Sequence, residues 1–261
     1  MRIEKPSHEL SVGEIISQSF RLYRARFILF FLPFLVAGLI TGIFVSTLLW
    51  YLPLPSPPPS GASLTIVTQW FWDFVRSLIA IAVLLGIVSV PISAITTGMI
   101  VKCASDILEK GNSTLKEGFS FVASKLVSLA GVTIITGILT IGGLFLFYVP
   151  GIIFMIMFFL AVSAVIIEQK GVFESLGRSR KLVSHRWGKI FVLSLIIGFI
   201  PFTVGWIASS MSAPFGNARW IVDSVITAFV TPILPIATTF LYYSMIAREA
   251  LRLPPPPPPF L

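Results

Sequence analysis

Six stretches of this sequence are each long and apolar enough to cross a lipid bilayer, and no other feature constrains the fold as much. A hydrocarbon core about 30 Å thick takes roughly 20 apolar residues of helix. Stretches 27–50, 77–101, 126–147, 148–167, 190–208 and 224–247 meet that demand. They are continuous runs rather than short alternating segments, which argues against β spans. Of the 261 residues only 11% are charged and 56% are hydrophobic, whereas a soluble domain carries about 25% charged residues. So few charges cannot cover a water-soluble fold, which excludes an ordinary soluble enzyme, a disulfide-stapled secreted domain and a nucleic-acid-binding module. The single cysteine, Cys103, has no internal disulfide partner. The expected fold is all-α, a polytopic membrane helical bundle of six transmembrane helices. It forms one domain over 1–253, with a proline-rich tail at 254–261. The apolar run beginning at Phe27 is too long for a cleavable signal peptide and lacks a small-residue cleavage pattern.

Lysine and arginine placement sets the expected orientation. Basic residues gather in the N-terminal segment, in the links after spans two and four, and in the tail. These segments hold 17 of the 19, leaving Arg76 and Arg219 on the other side. There Asp73 and Asp223 balance them, so the crowded side carries the whole net charge of +8. Both termini are therefore expected to be cytoplasmic, in a multi-pass protein of the cell membrane. Trp50, Trp70, Trp72, Trp206 and Trp220 fall at the expected outer ends of spans and Trp187 at an inner end, the headgroup zone that amphipathic rings prefer.

The chain reads as one unit used three times, an amphipathic helix followed by a pair of spans. Ser11-Val12-Gly13-Glu14 and Thr114-Leu115-Lys116-Glu117 are capping-box patterns opening the first two units. Gly171-Val172-Phe173-Glu174 opens the third. Ile15, Ile16, Phe20 and Tyr23 oppose Glu14, Ser17, Gln18, Arg21 and Arg24 at helical spacing. Such helices are expected in the inner interface, apolar face toward lipid, with basic residues at lipid phosphates. The candidate headgroup contacts are Arg21, Arg24, Arg26, Arg178, Arg180, Lys181, Arg186 and Lys189. The same residues equally serve as topology signals and helix caps, or as a surface for a protein partner on the cytoplasmic face.

Chemistry is sparse. His8 and His185 have no histidine or cysteine at ligand spacing, so no metal site is expected. No phosphate loop or nucleophile elbow points to a cofactor or catalytic site, and span centres lack the charges that mark proton relays. Pro33, Pro91, Pro201, Pro232 and Pro235 interrupt spans. Ser93, Thr96, Thr97, Thr238 and Thr239 are candidates to line a small polar cavity, although hydroxyls of this kind also serve as packing devices. Gly38-Leu39-Ile40-Thr41-Gly42 fits a close helix contact, within the chain or between copies. The tracts 53–59 and 254–259 are expected to be polyproline rods.

From Tyr148 to Phe191 runs a series of motifs: Tyr148-Val149-Pro150-Gly151, Ala164-Val165-Ile166-Ile167-Glu168, Lys170-Gly171, Glu174-Ser175-Leu176-Gly177-Arg178-Ser179, then Leu182 and Trp187. This series resembles the membrane domain of prokaryotic glycerophosphoryl diester phosphodiesterases and related stand-alone multi-pass proteins. The catalytic barrel of those phosphodiesterases is absent, so the resemblance implies an architecture and no catalytic residues. Pro150-Gly151 is expected to form the turn between spans three and four, and Arg178 and Ser179 to orient the third amphipathic helix.

The expectation for function is a non-enzymatic scaffold or accessory module that binds membrane lipids, anionic ones by its charge. The alternative is a permease for a small neutral or amphiphilic solute. A lipid-active enzyme using Glu168 or Glu174 is a third, weaker reading.

Overall fold

A computed structural model describes residues 5–184 and 186–252. Arg2, His185 and the tract 254–259 lie outside the described residues. The described residues are 84% helical, and there is no strand among them. Among the described residues six helical segments are long and apolar enough to cross a membrane.

The described residues form eleven α-helices, the first of them short. Helix α1 (Val12–Ala25) starts at a complete capping box: Glu14 N–H donates to Ser11 Oγ at 3.3 Å, and Ser11 N–H donates to the Glu14 carboxylate at 2.6 Å. Helix α2 (Phe27–Tyr51) runs through Pro33 unbroken and stops at Leu52, before Pro53, where the residue preceding a proline is driven out of the helical region.

The second span departs from its expected limits. Helix α3 covers Leu64–Lys110, 47 residues, or roughly 70 Å at 1.5 Å per residue. The expected 77–101 is only its apolar middle. Nothing between Ser63 and Ser77 breaks a helix, and the polar ends continue it until Gly111. That glycine takes a left-handed φ of 82° and donates to Ile107 O, the usual glycine stop.

Helix α4 (Leu115–Ser124) is capped by the Thr114 hydroxyl, which accepts from Glu117 N–H. Helix α5 (Leu126–Leu146) and helix α6 (Tyr148–Met157) meet at one extended residue, Phe147. The expected Pro150-Gly151 turn is thus displaced. Both residues sit in the first turn of α6, where proline costs no helical hydrogen bond. The pair instead lets two helices touch: a Cβ on Gly143 would lie 2.8 Å from the Gly151 backbone, and one on Gly151 would collide with Leu144.

Span four is broken. Helix α6 ends at Met157, and helix α7 (Ala161–Ile167) resumes after three residues. Gln169, at φ 53°, lies in the link to helix α8 (Val172–Val183). Helix α9 (Trp187–Ser212) contains Pro201 without breaking. After a 3-10 turn, helix α10 (Arg219–Ala228) gives way to helix α11 (Ile233–Arg252) across 229–232, so Pro232 marks an interruption, whereas Pro235 sits in the first turn of α11.

Burial is uneven along the spans. The spanning windows of α2, α3, α5 and α9 are 6–17% buried, against 44% for α6–α7 and 56% for α10–α11. That burial is concentrated in α7 and α11, while the other spans carry large apolar side chains facing outward. Outward apolar surface on this scale is what a hydrocarbon solvent requires. The packed core lies near one end, where Ile15, Leu22, Ile100, Leu160, Ile190, Phe240 and Tyr242 are buried in one cluster.

Candidate functional site

All four basic segments of the sequence converge on the end where the core is packed. Lys5 reaches Glu109 at the end of α3, 3.3 Å away. Glu9 gathers Lys189 at 2.9 Å, Arg186 at 3.0 Å and Arg248 at 3.3 Å. The Leu10 amide donates to Ser244 Oγ at 2.8 Å, and Lys189 also donates to the Leu10 carbonyl. Residues 5–10 therefore strap across α3, α9 and α11.

A second carboxylate pair organises α8. The Arg178 Nε sits 2.8 and 3.0 Å from the two Glu168 oxygens, and its Nη2 lies 2.7 Å from Glu249. Lys181 joins Glu249 at 3.1 Å. Burial opposes the Arg178 charge, but Glu249 and Glu168 more than reverse it and raise its pKa. Burial likewise works to raise the Glu9 carboxyl, while Lys189 and Arg186 outweigh it and hold the group below its ordinary value. A further acid, Asp106, is enclosed between Lys102 at 2.9 Å and Lys110 at 2.8 Å. Beside it the Tyr243 hydroxyl bonds Ser105 at 2.6 Å and donates to Glu109 at 2.8 Å.

The eight basic residues proposed from sequence divide in two. Arg178 and Lys189 are mostly enclosed, with side chains 15% exposed, and are taken up by carboxylates. Arg186 and Lys181 are paired but more open. Arg21, Arg24, Arg26 and Arg180 are exposed and have no carboxylate at ion-pair distance among the described residues. Lys116, also exposed, and Lys125, half-buried, likewise have no carboxylate at that distance among the described residues.

The amphipathic helices pack differently from expectation. The apolar face of α1 does not turn to lipid: Ile15, Leu22 and Tyr23 are buried against the bundle with Phe240 and Tyr243, because α11 offers them a closer apolar partner. On α4, Val122 packs against α3, and on α8, Leu176 and Leu182 are buried. What each of these helices leaves outward is one phenylalanine: Phe20, Phe119 and Phe173 are 42%, 53% and 79% exposed.

Three of the hydroxyls expected to line a polar cavity turn back to their own helices among the described residues. Thr96 returns its hydroxyl to Ile92 O, and Thr238 and Thr239 return theirs to Pro235 O. Ser93 is exposed, Thr97 half-buried. Thr96 does border a groove of about 360 Å³, but it is lined by apolar residues of α2, α3 and α4 such as Leu32, Ile95 and Phe119. Cys103 is buried.

Ser179 has a role the sequence did not reveal. Its hydroxyl donates to Met157 O at 2.8 Å and accepts from Leu160 N–H at 3.2 Å. It thereby satisfies backbone groups freed where span four breaks, from a neighbouring helix. The acids Glu9, Glu249 and Asp106 were likewise missed as organisers; the only signal was nine acids on the side already crowded with cations.

Residues 60–250 match the family model described as a domain of unknown function (DUF7847). No curated protein matches the chain, and no solved structure does.

Proposed function

The chain belongs to this DUF7847 family of unknown function, and from that premise we propose a multi-pass cell-membrane protein that binds anionic lipid at its basic end. In this reading both termini are cytoplasmic, the three short helices are repeated interfacial elements, and the protein acts as a scaffold or accessory module. The resemblance to phosphodiesterase membrane domains points the same way, toward architecture rather than chemistry.

One observation carries the reading. At the basic end the carboxylates Glu9, Asp106, Glu109, Glu168 and Glu249 hold the cations that build the bundle. Arg21, Arg24, Arg26, Lys116, Lys125 and Arg180 are left over, exposed or partly so. Phosphates of anionic lipids are a fitting counter-charge, worth about 1 kcal/mol per basic residue near such a surface. The outward Phe20, Phe119 and Phe173 would sit at the same interface.

The test is lipid selectivity of the reconstituted protein, measured with spin-labelled lipids. Wild type should prefer phosphatidylglycerol over phosphatidylcholine. Replacing Arg21, Arg24, Arg26 and Arg180 with glutamine should reduce that preference severalfold while leaving the Arg178 and Glu9 clusters intact. An unchanged preference rejects the proposal.

A further inference from the structure

A second polar feature lies at the opposite end, where α2 meets α10. These helices pack through Gly38 and Gly42. A Cβ on Gly38 would approach Ser224 at 3.2 Å, and one on Gly42 would approach Trp220 at 3.0 Å. The small-residue pair therefore serves a contact inside the chain. Beside that contact open two adjoining hollows of about 630 and about 540 Å³, which share Ser46, Leu49 and Arg219. Each is within the range that holds a small organic ligand.

Their chemistry differs from that of the basic end. One cation and one anion face the space. Arg219 and Asp223 stand 3.9 Å apart, at the outer edge of ion-pair distance. Asp223 Oδ1 accepts from Ser212 at 2.7 Å, and Arg219 makes only a long 3.4 Å bond to Ser209. Most guanidinium donors are thus available, and the second carboxylate oxygen meets only Arg219 Nε at that 3.9 Å. The Thr41, Ser46 and Thr47 hydroxyls on α2 line the same space and make no hydrogen bond among the described residues. Thr227 is different, since its hydroxyl folds back onto Asp223 O. A charged pair at a span end, loosely closed and facing unpartnered hydroxyls, is the pattern of a binding site rather than of packing.

We propose that this cleft binds a zwitterionic phosphate-ester headgroup, with phosphate on Arg219 and the α2 hydroxyls and ammonium on Asp223. A guanidinium fork matches phosphate geometry, and the neutral sum of the pair disfavours a plain anion. The headgroup arrives either on a lipid of the leaflet at this end or as a free phosphate ester, and the chemistry is the same.

The test uses full-length, delipidated protein carrying the four glutamine substitutions at the basic end, so that the two lipid sites report separately. Retention of phosphatidylethanolamine, phosphatidylglycerol and diacylglycerol is read by native mass spectrometry. Phosphatidylethanolamine should be retained best and diacylglycerol least. Arg219→Gln should cut phosphatidylethanolamine retention at least tenfold, and Arg219→Lys less. Asp223→Asn should remove the preference over phosphatidylglycerol. Ser46→Trp, at an exposed position, should block retention without changing the unfolding temperature. Displacement by free phosphoethanolamine assigns the site to a soluble ester; loss in Arg219→Gln without such displacement assigns it to lipid. Retention of phosphatidylethanolamine equal to that of diacylglycerol, or unaffected by both Arg219→Gln and Ser46→Trp, overturns the proposal.

Discussion

Ser179 shows how much one hydroxyl can hold in a dry interior. Its Oγ serves a carbonyl and an amide of the broken fourth span at once, and the side chain is fully buried. Ser179→Ala leaves both groups without a partner where water does not reach. An unsatisfied buried polar group costs about 1–3 kcal/mol, so the variant should lose that much stability in detergent denaturation while keeping its helix content. Glu9 acts through charge instead. Because its carboxyl is held below the ordinary value of 4.5, the folded protein binds this proton less tightly than the unfolded chain. The stabilisation is whole above that value and drains as pH falls through it toward the lower folded value. Hydrogen exchange at the Leu10 amide should therefore speed up as pH drops below about 5, beyond the intrinsic pH effect. Glu9→Gln should be fast throughout and lose this extra pH dependence; an unchanged acid response in the variant would assign it to another group.

At the scale of elements, the crossing of α5 and α6 turns on two glycines. A methyl group on Gly143 would press on the Gly151 backbone, which cannot rotate aside, whereas one on the adjacent Gly142 meets nothing within 4 Å. Gly143→Ala should cost about 1–3 kcal/mol by overpacking. Gly142→Ala should be neutral or stabilise by up to about 1 kcal/mol, through lower chain entropy. Thermal unfolding of the pair tests this, and equal shifts would refute it. This crossing also marks the boundary of what the sequence disclosed. Caps were legible at Ser11 and Thr114 because a hydroxyl followed three residues later by glutamate is a local pattern, although only Ser11 closes the full box. Span count was legible because hydrocarbon demands a minimum apolar length. The Pro150-Gly151 pair was legible as a special feature, but its use was not, since a glycine that admits a turn and one that admits a neighbour look alike. The break at 158–160 had no local sign at all. It contains no proline, and its repair comes from Ser179 on another helix. Arg178 was visible as a cation but not as a strut, because Glu249 is distant in sequence.

At the scale of the whole molecule, the ion pairs constrain topology independently of any hydropathy argument. Lys5 with Glu109, Glu9 with Lys189 and Arg248, and Arg178 with Glu249 tie the N-terminal segment, two links and the last helix to one end. Four segments joined this way must share one side of a membrane, whichever side that is. In the orientation we propose, excess lysine and arginine place that side in the cytoplasm, since such segments resist translocation. Cysteine scanning separates the two statements cleanly, because the native Cys103 is buried and gives little background. Ser60→Cys lies in the link between α2 and α3, and Asn112→Cys lies in the link between α3 and α4; both positions are exposed. A membrane-impermeant maleimide should label Ser60→Cys in intact cells and reach Asn112→Cys only after permeabilisation. Labelling of Asn112→Cys alone would invert the orientation and leave the bundle standing. Labelling of both in sealed cells would mean that α3 does not cross at all, and with it the membrane-spanning architecture itself would fail.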